Sequence, residues 1–345
     1  MKTFIIAAST TLAIVSCTLP AQDQDLADVF DRVHASVVTI TATAKARGGG
    51  PAKGLPDSRV GSGVLLSLEG SILTAAHVVD LADEIQVEFS DRTVMSARIV
   101  SVERGSDLAL LQLENPLPQG ATIAKLGDSD TVRVGNRIFV IGAPFDLRDT
   151  LTVGHISARR KDESFLGSMR PIEHFQTDAA IQRGNSGGPM FNMKGEVIGT
   201  VSHQVSISGA NEGFGFGVTS NVTRDLLLNR GRVWLGFDAL PMSLEMSQAV
   251  NVPDGQTGIL VQRVAESSPA ERLGLRGGTI RITVAGREFL LGGDVILEML
   301  GRSLSSPDEA SAAAKATRAL RKGDRLAVKV LRAGKVIELA TLLGR

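Results

Sequence analysis

The sequence predicts a mainly β chain, a double β-barrel followed by a smaller α+β domain. Three observations carry this. Between Val60 and Val222, apolar runs of strand length, alternating or continuous, recur between turn signals. A length of 345 residues suggests two domains, and a hydrophobic fraction of 43% is ample for buried cores. Beyond the linker Arg230-Gly231-Arg232 the pattern changes, with strand-like runs now interrupted by an alanine-rich helical segment.

The first segment, Met1-Lys2-Thr3-Phe4-Ile5-Ile6-Ala7-Ala8, continues apolar to Val15; it is too short for a membrane span and suits an export signal over residues 1–21. Cys17, the one cysteine, cannot form an internal disulfide. It follows Ile14-Val15-Ser16, which resembles a bacterial lipobox, and acylation there would tether the chain to an envelope membrane. The alternative, also open, is that Cys17 is removed with a signal cleaved after Ala21. The predicted first domain, 22–229, begins with an amphipathic helix over Asp25 to Val33 and a strand at Val37 to Ile40. Gly48 through Pro56 reads as an exposed loop. Strands follow, among them Glu84 to Phe89 and Val197 to Val201, and a short helix at Asp225 to Asn229 closes the domain. In the second domain, 230–345, Ala310 to Leu320 suits a helix and Leu326 to Leu331 a closing strand.

The most specific chemistry lies in Gly184-Asn185-Ser186-Gly187-Gly188-Pro189, a serine on a glycine-rich turn. A serine hydroxyl becomes a useful nucleophile only when an imidazole takes its proton and a carboxylate fixes that imidazole. His77, in Leu73-Thr74-Ala75-Ala76-His77-Val78-Val79, and Asp107, in Ser106-Asp107-Leu108-Ala109-Leu110-Leu111, are the candidates. The chain order His, Asp, Ser is that of the chymotrypsin-type arrangement. A tetrahedral oxyanion needs backbone N–H donors that no side chain obstructs, which assigns that role to Gly184 and Ser186. Gly187 and Gly188 would let the chain pass close behind the nucleophile. His34, His155 and His174 lack such a context and are expected to pack or to be solvated.

Together with Gly61-Ser62-Gly63-Val64, Val140-Ile141-Gly142-Ala143-Pro144, Gln176-Thr177-Asp178-Ala179-Ala180 and Gly213 through Val218, these segments resemble the trypsin-like serine proteases, more narrowly the HtrA/Deg family of bacterial envelope proteases. The resemblance implies an exported endopeptidase of the periplasm or cell envelope that cleaves unfolded or damaged proteins. In that mechanism Ser186 attacks, His77 is general base and then acid, and Asp107 orients His77. It implies a homotrimer, for which the apolar face of Val29, Phe30 and Val33 is a candidate contact, intramolecular packing being the alternative. It also places a specificity pocket at Ser202, His203, Gln204, Val205 and the stretch from Gly213 to Gly217; no acid lies there, so cleavage after small or medium apolar residues is expected. Gln182-Arg183 departs from the family's usual Asn-Pro.

The second domain resembles a PDZ domain through Trp234-Leu235-Gly236-Phe237, Gly258-Ile259-Leu260-Val261 and Ser268 to Leu275. The implied carboxylate loop is Leu235-Gly236-Phe237, whose amides would take a peptide C-terminus. An insertion near 276–291 precedes Gly292-Gly293-Asp294-Val295-Ile296-Leu297 and is expected to form an extra hairpin that covers or reshapes the groove. A module that only buttresses the protease is the plainer reading. With 37 basic and 37 acidic side chains the formal net charge is zero, and no basic stripe points to nucleic acid or an anionic membrane. No Cys/His cluster or phosphate-binding loop calls for a metal or cofactor. A rival from another class is a chaperone or peptide-binding protein whose protease domain is weakly active or ligand-gated.

Overall fold

The computed structural model of the chain describes residues 25–44, 57–143, 149–161, 172–204, 214–229, 233–253, 256–284 and 287–343. The signal segment with Cys17, the loop at 48–56 and the linker at 230–232 lie outside these, as do Val205 and Gly213 of the expected pocket.

Helix α1 (Leu26–Val33) is capped by Asp25, whose carboxylate accepts from Ala27 N at 3.2 Å, with Asp28 in the first turn and Arg32 in the last to match the helix dipole. Its apolar face turns inward. Val29 and Val33 are 0% and 8% exposed and pack with Leu73, Phe139 and Phe191. Of the two alternatives for this face, Val29 and Val33 take intramolecular packing, which leaves their side chains out of reach of a subunit partner. Phe30, half-buried, stacks on His34 with ring centroids 5.0 Å apart.

Six strands form the first barrel: β1 (Val37–Ala44), β2 (Asp57–Leu65), β3 (Ser71–Thr74), β4 (Glu84–Glu88), β5 (Val94–Glu103) and β6 (Leu108–Leu113). The order β1-β2-β3-β6-β5-β4 closes because β1 pairs with β4 as well as β2. Alternation places Ile85 and Val87 of β4 inside, against Ile40, Leu65 and Leu111. Between β3 and β4 sits the single turn α2 (Ala76–Val79).

After the short β7 (Lys125–Leu126), the second barrel comprises β8 (Arg137–Gly142), β9 (Thr150–Arg160), β10 (His174–Thr177), β11 (Pro189–Asn192), β12 (Glu196–Gln204) and β13 (Gly215–Thr219). The ring runs β8-β9-β10-β13-β12-β11, closed by β11 on β8, with β7 added parallel to β12. Its interior holds Ile138, Val140, Phe175, Met190 and Ile198. A separate apolar cluster joins the barrels: Val64, Leu73 and Leu108 from the first meet Phe139, Ile141 and Phe191 from the second. Helix α3 (Ser220–Thr223) then continues into a π-helical turn over Arg224–Asn229, slightly longer than the predicted helix.

The C-terminal unit is a sheet ordered β14 (Phe237–Pro241), β15 (Ile259–Val264), β18 (Val295–Met299), β20 (Arg325–Arg332), β21 (Lys335–Leu342). Helices α4 (Leu244–Ala249) and α5 (Pro269–Leu273) flank β15 in sequence, and the latter is N-capped by Ser268. The inserted residues form the expected hairpin, β16 (Ile280–Val284) with β17 (Arg287–Leu291). The Gln262 amide fastens this hairpin to β15 by donating to Leu290 O at 3.1 Å and accepting from Leu290 N at 2.8 Å. Strand β18 (Val295–Met299) and its short partner β19 (Arg302–Ser303) lead into helix α6 (Pro307–Ala319), three residues earlier than predicted because Ser306 caps it. The strand expected to close the domain is β20 (Arg325–Arg332), which is internal; β21 (Lys335–Leu342) is the edge.

Polar contacts join this unit to the first barrel, among them an Arg104–Asp238 ion pair at 3.7 Å. The Arg104 guanidinium binds Asp80 and donates to Phe237 O at 2.9 Å, while Glu266 N donates to the Asp83 carboxylate at 2.7 Å. A cleft of about 440 Å³ opens at the junction, lined by Arg59, Leu81, Leu240, Arg263, Arg281 and Phe289 among others.

Candidate active site

His77 lies on α2, and Asp107 follows a 3-10 turn over Arg104–Ser106 just before β6. Asp107 adopts left-handed φ +54°, a conformation that aspartate tolerates better than most residues and that aims its carboxylate back at α2. His77 Nδ1 lies 3.0 and 2.9 Å from the two Asp107 carboxylate oxygens, and the His77 backbone N–H donates to the same carboxylate at 3.0 Å. Asp107 O in turn accepts from Ala76 N at 3.1 Å. A fourth bond comes from the second barrel: the Ser202 hydroxyl donates to Asp107 Oδ2 at 2.5 Å. Burial alone would raise the Asp107 pKa, but the hydrogen bonds and charge of His77, the Ser202 hydroxyl and the His77 amide together hold it below the usual carboxylate range. Asp107 therefore stays ionised beside His77. The Arg59 guanidinium holds the other side of α2 by donating to His77 O at 2.8 Å.

Ser186 sits on the turn between β10 and β11, and the sequence folds that way because glycine is required on either side. Gly184 has φ +100° and Gly187 φ +83°. A Cβ at Gly187 would overlap Thr74 Oγ1 and Ser62 O. Ser62 of β2 pins the turn from the first barrel: its hydroxyl donates to Gly184 O at 2.6 Å and accepts from Ala143 N at 3.0 Å, and its N–H donates to Ser186 O at 2.8 Å. Behind the serine, Gly187 N donates to Val201 O at 2.7 Å. The N–H groups of Gly184 and Ser186, the expected oxyanion donors, have no acceptor among the described residues. The Ser186 hydroxyl donates to Ser202 O at 3.3 Å; among the described residues it makes no hydrogen bond to His77.

The structure thus joins His77 to Asp107 and sets the Ser186 turn against both through Ser202. Of the expected pocket residues, Ser202 is buried with its hydroxyl on Asp107, and His203 Nδ1 lies 3.0 Å from that hydroxyl. Gln204 pairs with Gly215, and Gly215 to Gly217 are buried in β13. Leu235, Gly236 and Phe237 fall in the C-terminal unit, where Ala265 N and Ala270 N bind the carbonyls of Gly236 and Leu235 at 2.8 and 2.9 Å. Gly236 has φ +79° and no room for a Cβ beside Ser268. His174 packs as expected, its Nδ1 3.0 Å from Ile172 O, and exposed His155 meets Asp178. Among the described residues no group of three or more His, Cys, Asp or Glu could hold a metal ion, and no helix is long and apolar enough to cross a membrane.

Residues 61–199 match the trypsin-like peptidase domain. Over 369 positions the chain is 32% identical to a probable periplasmic serine protease, do/HhoA-like, of Haemophilus influenzae, covering 96% of this chain and 74% of that protein. The chain belongs to the HtrA/Deg family of trypsin-like serine proteases. A DegP-like probable periplasmic serine endoprotease of Marinomonas sp. (strain MWYL1) is 37% identical over 259 residues, 73% of this chain; the chain spans only 50% of that relative's length. Among solved structures, the HtrA-type protease AlgW with a tripeptide superposes with a TM-score of 0.53 at 29% identity, covering 92% of this chain and 96% of that one. Three residues make contacts at this candidate site that the sequence did not assign: Ser62 pins the Ser186 turn, Ser202 braces Asp107, and Arg59 holds the His77 backbone. Ser62 lies in a segment already distinctive for its two flanking glycines, the one local signal available.

Proposed function

We propose that this chain is an exported serine endopeptidase that cleaves protein or peptide substrates through a Ser186 acyl-enzyme. The observation that carries the proposal is the bonding of the His77 ring to the ionised Asp107 beside the pinned Ser186 turn. Asp107 fixes the tautomer in which His77 Nδ1 carries the proton and Nε2 is free to accept one. Ser186 Oγ leaves Ser202 O, gives its proton to His77 Nε2 and bonds to the scissile carbonyl carbon. The oxyanion so formed is met by the N–H groups of Gly184 and Ser186. His77 returns the proton to the leaving amine, and a water deprotonated by His77 releases the acid product and regenerates Ser186.

The relatives' periplasmic names support placement in the periplasm or cell envelope, with Cys17 as an anchor if it is acylated. Unfolded or damaged envelope proteins are the substrates this reading favours, cut after small or medium apolar residues. The C-terminal unit is read as PDZ-like, with Leu235-Gly236-Phe237 as the carboxylate loop; the 280–291 hairpin lies on β15 at the junction cleft. Any trimer must use surface other than Val29 and Val33.

The test is digestion of casein by the purified mature protein beside its Ser186→Ala variant. Cleavage lost with Ser186 supports the reading; equal cleavage by both ends it.

A further inference from the structure

One feature of the second barrel is not used by the triad. His203 on β12 is half-buried, stacked on Phe216 of β13 with ring centroids 5.3 Å apart, and edge-on to His174 of β10 at 6.5 Å. Its Nδ1 lies 3.0 Å from Ser202 Oγ, while its Nε2 is buried with no hydrogen-bond partner among the described residues. The protons can be placed by elimination. The ionised Asp107 only accepts, so the single proton of the Ser202 hydroxyl goes to Asp107 Oδ2. Ser202 Oγ can then only accept from the ring, so His203 Nδ1 carries a proton, and in the neutral ring Nε2 is bare. The hydrogen bonds run in one direction, His203 to Ser202 to Asp107, and meet the bond from His77 at the same carboxylate. A phenyl ring would make the same stack without leaving a buried lone pair unmet, so packing does not account for the imidazole.

We propose that His203 is a positioning residue for Asp107, acting by locking the Ser202 hydroxyl in the rotamer that donates to that carboxylate. The inference rests on the reading of Ser186, His77 and Asp107 as the catalytic groups. It also bears on the nucleophile, because the carbonyl of the same Ser202 receives the Ser186 hydroxyl. The titratable groups around His203 are His174 from β10 and Asp107 and His77 from the first barrel. Burial holds the His203 ring below the usual histidine range, His174 adds to that, Asp107 opposes it and His77 adds again. The ring is accordingly neutral at pH 7, with its one proton on Nδ1.

His203→Phe keeps the stack and removes the donor. Peptide-hydrolysis kcat should fall about three- to tenfold with KM little changed, the size of one lost hydrogen bond. The acid limb of kcat/KM should move to higher pH, because a less engaged Asp107 stabilises protonated His77 more. His203→Asn, whose amide N–H can stand where Nδ1–H stood, should restore both. In a Ser202→Ala background, His203→Phe should have no further effect. Independently of turnover, ¹⁵N spectra of the histidine-labelled Ser186→Ala chain should show His203 as the Nδ1–H tautomer at pH 7. Unchanged kcat and acid limb in folded His203→Phe, an undiminished effect without Ser202, or an Nε2–H tautomer would each overturn the proposal. If His203→Phe does not fold, a folded His203→Asn with depressed kcat overturns it instead. A wild-type chain that cleaves nothing would sink the protease reading, while the nitrogen spectrum would still decide the bond.

Discussion

The two barrels contribute unequally to the site. The first supplies His77 and Asp107 already assembled: ring, backbone N–H and carboxylate are mutually bonded within a few residues of α2 and β6. The second supplies Ser186 on a turn whose position depends on the other barrel, through Ser62, and whose hydroxyl faces Ser202 O rather than His77. On the proposed reading the base is organised mainly within one barrel, with Ser202 of the other as a brace, whereas the nucleophile is organised by docking.

That contrast can be tested from its strongest consequence downward. Ser186→Ala should cut peptide hydrolysis by at least about 10⁴-fold, and His77→Ala should come close, with the double variant no worse than the single ones because the groups act as a unit. Progress curves on a fluorogenic peptide measure this. Asp107→Asn should cost about 10³- to 10⁴-fold with little change in KM, since the local half loses its tautomer control. Ser62→Ala separates the two halves. It should leave the His77–Asp107 pair intact, yet destabilise the fold by about 1–3 kcal/mol in urea titrations, because Gly184 O and Ala143 N lose a buried partner. Its kcat should fall well below wild type in the still-folded protein; an unchanged kcat would mean that docking does not set the nucleophile.

The smallest effect concerns pH. Burial lowers the pKa of both His174 and His203 in the folded chain. A histidine depressed on folding contributes stability that is present above its unfolded pKa of about 6.5 and is lost as pH falls towards the folded value, because the unfolded chain binds more protons in that window. The urea midpoint should therefore drop between pH 7.5 and pH 5.5, and His174→Phe should flatten part of that drop. A midpoint that is flat in wild type, or equally steep in the variant, would break the link. Asp107, also depressed, adds a further loss only at more acidic pH, as its carboxylate protonates.

What the sequence disclosed follows the same division. Barrel strands were legible where one face is buried, as in β4, because alternation reports that burial directly. Edge strand β21 was not, since Ile337 and Leu339 on its core side are matched by exposed Val336 and Leu342 on the other, which blurs the alternation. His77, Asp107 and Ser186 stood out because each lies in a distinctive local motif and the three occur in a known order. Ser62 and Ser202 bond to partners 122 and 95 positions away, and no period or spacing in one sequence encodes such a contact. The face of α1 was visible as apolar, but amphipathicity says that a face is covered and not by what. Only the packing of Val29 and Val33 on Leu73 and Phe139 supplies that.

Ser62 gives the molecule an unusual sensitivity. Because a residue of one barrel fixes the Ser186 turn of the other, turnover becomes a gauge of how firmly the two barrels are held together. Mild heat or denaturant should therefore silence the chain while its far-ultraviolet spectrum is still native, and the interval between the two events would measure how loosely the halves are clasped.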